Sequence, residues 1–178
     1  IKGGVIDNIM MRTAEVLYSL PYMLIVILLS VILDSSNIWT MILALSITGW
    51  VPMARLVRGQ VLQLKEMEYV QASRALGSKT GWVLKKHLIP NTMGPIFVNM
   101  TLTVPSAIFA EATLGFLGMG ISAPMSSWGT LVNNALGGLL VGRIYPLLIP
   151  GLLISLTMFS FNVLGDGLRD SLDPRLRK

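Results

Sequence analysis

Long uncharged, apolar stretches alternate with short polar ones along the chain. There are 18 residues without a charge between Glu15 and Asp34, 20 between Asp34 and Arg55, 23 between His87 and Glu111, and 22 between Arg143 and Asp166. An α-helix of about 20 residues crosses a hydrocarbon layer about 30 Å thick, so each stretch predicts one membrane span. The spans fall at about 10–33, 38–61, 91–115 and 144–164, with a polar loop over 62–90. A further 31 uncharged residues separate Glu111 from Arg143, but Gly, Pro and Asn interrupt them. Residues 116–143 therefore read as a re-entrant or interfacial segment on the outer face. The fold class expected is all-α: one polytopic transmembrane helical bundle over 1–178, with four spans and a short helix in the polar loop.

The first span carries Pro21 in a Ser-Leu-Pro-Tyr turn, with Arg12 and Glu15 one helical turn apart near its start. Residues Asp34 to Asn37 turn the chain into the second span, where Trp39 suits an interfacial anchor and Pro52 a kink. The third span is the most polar. Asn99, Thr103, Ser106 and Glu111 make it the candidate to line a pathway or an interface inside a bundle, because polar groups facing lipid are costly.

Composition agrees: 53% of residues are hydrophobic and 13% charged, against roughly a quarter charged in soluble domains. The absence of Cys excludes disulfides and thiolate sites. The net charge of +5 is a topology signal, because 13 of the 14 Lys and Arg residues fall in 1–15, 55–90 and 166–178, and only Arg143 lies elsewhere. The positive-inside rule then places both ends of the chain and the 55–90 loop in the cytoplasm, in a multi-pass protein of the cytoplasmic (inner) membrane. No basic stripe interleaved with aromatics is present, so no nucleic-acid partner is expected; membrane lipid is. The chain opens on Ile1 with no secretory-signal pattern and reads as starting partway into a longer protein.

Within the loop, Glu66 and Glu68 fall in the first turn of a predicted helix over 66–77, Arg74 in its last turn and Gly77 just beyond, matching the helix dipole and a glycine C-cap. Tyr69, Ala72, Ser73 and Leu76 form one stripe of mostly small residues, which lets a partner approach closely. Trp82 to Leu88 predicts a second short amphipathic stretch lying at the headgroups.

EYVQASRALG, followed by HLIPN, resembles the EAA signature of binding-protein-dependent ABC importers. Gln71, Ala72 and Ser73 stand at its Glu-Ala-Ala, Gly77 at its glycine, and His87, Ile89 and Pro90 at its later positions; Gln71, Ser73, His87 and Ile89 depart from the strict letters. LSITGWVPMARLVRGQV, AEATLGFLGMG, Ser127-Trp128-Gly129 and FNVLGDGLRDSLDPRLR resemble the peptide and nickel branch of these permeases. The resemblance covers nearly the whole chain. It implies a permease subunit for di- or oligopeptides, with nickel as the alternative cargo, and supplies the last four of six spans. It further implies coupling through Glu68, Tyr69, Gln71, Ala72, Ser73, Arg74, Ala75, Leu76 and Gly77 to ABC ATPase subunits that handle ATP and Mg. A second homologous permease and an extracytoplasmic substrate-binding protein are the other partners implied.

Enzyme readings fail on the residues. Gly77-Ser-Lys-Thr-Gly81 has neither the order nor the spacing of a phosphate-binding loop. Asp166 in Leu-Gly-Asp-Gly lacks a second intramembrane Asp, and no base accompanies Ser106 or Ser155. His87, the sole histidine, lacks companions for a metal site, and Gly115, Gly118 and Gly120 suit helix packing or a loop entry. An ion-coupled secondary transporter is the alternative of a different class, but neither an internal repeat nor a midplane ionisable residue supports it.

Overall fold

In the computed structural model, residues 4–33, 37–139 and 141–172 are described. The turn expected at Asp34 to Asn37 and the charged tail beyond Leu172 lie mostly outside them. Helices α1 (Val5–Ser19), α2 (Tyr22–Ile32), α3 (Ile38–Leu64), α4 (Glu68–Ala75), α5 (Thr80–Val83), α6 (Ile89–Phe116), α7 (Trp128–Leu139) and α8 (Tyr145–Leu172) make up the fold, and a π-helical turn over Leu84–Leu88 joins α5 to α6. The described residues contain no strand.

Among the described residues, three helical stretches are each long and apolar enough to cross a membrane: Ile38–Leu64, Thr80–Phe116 and Tyr145–Leu172. The stretch expected as a continuous first span is divided into α1 and α2, which meet at 89°. Pro21 is the cause: it lacks an N–H and holds Leu20 extended at ψ 143°, so the ladder cannot pass. Asp7 and Tyr18, eleven residues apart on α1, reach Arg58 and Arg55, only three apart on α3. Those separations are about 16 Å and about 5 Å along their helices, so α1 lies across α3 and only α2 runs beside it.

The second, third and fourth spans are longer than their charge-free cores. α3 continues through Pro52 to Leu64 and α8 reaches Leu172, because their last turns carry polar residues that emerge from the apolar layer without ending the helix. The short stretch 82–88 is continuous with α6 rather than separate from it. Pro90 sits in the first turn of α6, and the hydrogen-bond register slips to π just before it, where Asn91 Nδ2 donates to the His87 carbonyl at 2.6 Å.

Residues 117–127 turn back into α7, whose 12 residues span about 18 Å, too short to cross. α6, α7 and α8 pack on one another. Gly115 and Gly129 make the α6–α7 contact possible: a Cβ on Gly129 would lie 2.6 Å from the Ala112 carbonyl oxygen, and one on Gly115 2.7 Å from the Gly129 backbone. Val26, Met41 and Leu114 bury a second contact between α2, α3 and α6. Elsewhere the spans present large apolar side chains outward, Leu152, Leu156 and Phe159 of α8 among them, as suits a helix bathed in lipid or facing another subunit.

Candidate functional site

Two features stand out, one at each end of α6. The first is α4. Met67 enters it in an extended conformation, and Glu68 and Arg74 place opposite charges at the ends where the helix dipole favours them. Glu66 lies in the preceding turn, two residues before the helix begins at Glu68, and its carbonyl accepts from Gln71 Nε2 at 3.1 Å. The C-terminus is a Schellman motif: Gly77 N–H donates to the Arg74 carbonyl at 2.9 Å and Ser78 N–H to the Ser73 carbonyl at 3.2 Å, with Gly77 at φ 81°. Ser73 Oγ bonds Ser78 Oγ at 3.0 Å and closes the same turn.

Of the residues proposed from sequence, Glu68, Tyr69, Gln71, Ala72, Arg74, Ala75, Leu76 and Gly77 are exposed, and Leu76 is 87% exposed despite being apolar. Ser73 is not: at 8% exposure it faces inward with Val70, so the expected outward stripe of Tyr69, Ala72, Ser73 and Leu76 is incomplete. The reason is Val70, which anchors the inner face together with Val83 and Leu88, all three fully buried, and draws in Ser73 one turn later. Val61, Leu64 and Leu84 complete this cluster, so α4 is seated on the end of α3 and the start of the α5–α6 rod. On the same rod His87 lies between two rings, 5.5 Å from that of Tyr69 and 5.2 Å from that of Trp82. Sequence reading missed this seat, although the apolar Val70 amid polar neighbours was its signal.

The second feature is a ridge on α6. Asn99, Thr103, Ala107 and Glu111 follow one another at four-residue spacing, and Ser106 flanks them. α8 packs on the opposite side of α6: a Cβ at Gly165 would sit 2.8 Å from Thr101 Oγ1 and 3.0 Å from Leu102. Thr103, Ser106 and Ala107 are exposed, while Asn99 and Glu111 are half-buried. The hydroxyl of Thr103 donates back to the Asn99 carbonyl at 2.8 Å, which lowers the cost of a polar face at that depth.

At the end of this ridge, Glu111 borders a concave space of about 550 Å³ with Ala107, Ile108, Ser126, Ser127, Trp128 and Leu131. Ser127 and Thr130 cap α7 reciprocally there: Ser127 N–H donates to Thr130 Oγ1 at 2.8 Å and Thr130 N–H to Ser127 Oγ at 3.2 Å. Glu111 Oε1 is buried and has no hydrogen-bond partner among the described residues.

The fold is a helical bundle with a capped surface helix at one end of a polar-ridged span, and the chain belongs to the family described as binding-protein-dependent transport system inner membrane component, which it matches over residues 1–178. It is a multi-pass membrane protein. The chain is 59% identical over 177 residues to the dipeptide transport system permease protein DppC of Bacillus subtilis (strain 168), covering 99% of this chain and 55% of that protein. To the oligopeptide transport system permease proteins OppC of Bacillus subtilis (strain 168) and Escherichia coli (strain K12) it is 56% and 42% identical, covering 99% and 98% of this chain and 57% of each relative. The chain thus spans little more than half the length of these curated relatives.

Proposed function

We propose that this chain forms part of the membrane-spanning region of a permease subunit in an ATP-driven importer of di- or oligopeptides. The observation that carries the reading is α4: a short helix, capped at its end, exposed on one face and fixed by Val70 to the bases of α3 and α6. Such a helix transmits a push without bending, and α6, which would receive the push, bears the polar ridge. Relatives named for dipeptide and oligopeptide transport support the choice of cargo.

In this reading the α4 end faces the cytoplasm, with both ends of the chain, and the Glu111 end faces outward, in keeping with the placement of the basic residues. ATP and Mg are bound and hydrolysed by separate ATPase subunits docked on Glu68, Tyr69, Gln71, Ala72, Arg74, Ala75, Leu76 and Gly77, with Ser73 acting from inside the turn. In this reading the chain supplies neither the ATPase site nor a cofactor. A second permease subunit completes the pathway and an extracytoplasmic binding protein delivers the peptide.

The test is reconstitution of the full-length protein with its second permease, ATPase and binding protein in liposomes. ATP inside the cytoplasmic side should drive accumulation of a radiolabelled dipeptide, and Gly77→Glu should abolish binding-protein-stimulated ATP hydrolysis while the subunit stays in the membrane. Uptake driven by an ion gradient without the ATPase, or normal transport by Gly77→Glu, would refute the proposal.

A further inference from the structure

We infer that Glu111 is an anchor for the positively charged amino group of the transported peptide at the outer end of the pathway, an inference that rests on the importer reading above. A carboxylate oxygen with no donor is costly in a buried setting, and the cost is removed when an ammonium group donates to it. Glu111 Oε1 is in that position, closed to solvent although its residue borders the space, so an incoming ammonium group reaches it once the carboxyl group turns toward that space. None of the residues lining the space beside it is basic, and none of the ion pairs found among the described residues involves it.

The remainder of the site fits the same ligand. Ala107, Ile108, Trp128 and Leu131 supply apolar walls, and Ser126 and Ser127 supply hydroxyls. About 550 Å³ is within the range of pockets that take small organic ligands, and so holds the first residues of a peptide. Recognition that stops at the amino group and apolar contact is indifferent to side-chain sequence, as an importer of varied peptides requires. From Glu111 the ridge leads along the face of α6 turned away from α8, so a peptide released from the anchor moves past exposed Ala107 and Thr103 to the half-buried Asn99. An ammonium on a lysine side chain of the peptide presents the same chemistry as its terminal amine, and the probes below separate the two.

The experiment uses the complete transporter in nanodiscs without its binding protein, and a tripeptide free of lysine that carries a benzophenone side chain. The free-amine probe should photolabel wild-type chain within 107–131, and labelling should fall about tenfold or more in Glu111→Gln, the scale of losing one charge-assisted hydrogen bond, with partial recovery in Glu111→Asp. The N-acetylated probe should label wild type and Glu111→Gln equally weakly. An N-acetylated probe bearing one lysine shows whether a side-chain amine substitutes; restored labelling extends the anchor to both amines, and its absence restricts it to the terminus. In liposomes with the binding protein present, Glu111→Gln should lower peptide uptake while stimulated ATP hydrolysis continues.

No labelling of wild type by the free-amine probe, equal loss for free and acetylated probes, or loss of the second permease from purified Glu111→Gln transporter would overturn the anchor, the last by showing that the carboxylate pairs with another subunit. ATP-driven dipeptide uptake by wild type that Glu111→Gln leaves unaltered sinks the anchor alone. Failure of wild type to take up any peptide sinks the importer reading instead.

Discussion

Gly77 shows how much one residue's conformational freedom can decide. Its φ of 81° is strained for residues with a Cβ, yet a Cβ there would meet nothing within 4 Å, so the cost of substitution is conformational alone. Substitution by Ala should cost about 1 kcal/mol of the α4 turn, and by Asn less, since Asn enters the left-handed region more readily. Stimulated ATP hydrolysis by the reconstituted transporter should therefore rank wild type, Gly77→Asn, Gly77→Ala, with Gly77→Glu lowest; an Ala variant that equals or exceeds Asn would disprove the conformational account. The cap was legible in the sequence because charge placement and glycine are local signals. The inward turn of Ser73 was not, since it depends on Val70 meeting Val83 and Leu88, residues distant in sequence.

At the level of elements, the seat of α4 determines whether its movement reaches α6. Leu88 is fully buried at the join of the π turn and α6, in the same cluster as Val70. Leu88→Ala should remove about 2–5 kcal/mol of packing and free α4 without unfolding the spans. Amide hydrogen exchange should rise over 68–78 while α8 stays protected, and ATP hydrolysis should lose its link to uptake. A uniform rise through α6 and α8 would place Leu88 in global stability instead. Tyr69→Ala tests the other half of the seat: loss of the ring beside His87 should lower uptake several-fold at unchanged membrane content, and unaltered uptake would leave the ring contact without a role. The breaks within elements divide by cause. Pro21 marked a turn openly, whereas the right angle it produces depends on α1 being held across α3 through Asp7–Arg58 and Tyr18–Arg55, which no local pattern announces.

For the whole molecule, charge-free length marked the three long apolar helices but not the right angle between α1 and α2, and the way the helices close on one another was carried by glycines whose partners lie elsewhere in the chain. Gly115 and Gly129 bring α6 and α7 into backbone contact and so fix the wall of the Glu111 space. A methyl group on Gly129 would approach the Ala112 carbonyl oxygen to 2.6 Å, and because backbone stands on both sides neither helix can yield by a rotamer change. Gly129→Ala should therefore destabilise the α6–α7 pair by about 1–3 kcal/mol, the scale of overpacking. Gly151 in α8 is the matched control: it too is helical, but a Cβ there meets nothing within 4 Å, so Gly151→Ala should be neutral or slightly stabilising. Thermal unfolding of the two variants in detergent should separate them, with a lower midpoint for Gly129→Ala alone. If the α6–α7 contact also shapes the anchor, Gly129→Ala should weaken labelling by the free-amine probe while α4 coupling persists; equal midpoints for the two variants would show that α7 can move away without cost and that the Glu111 space is not fixed by this contact.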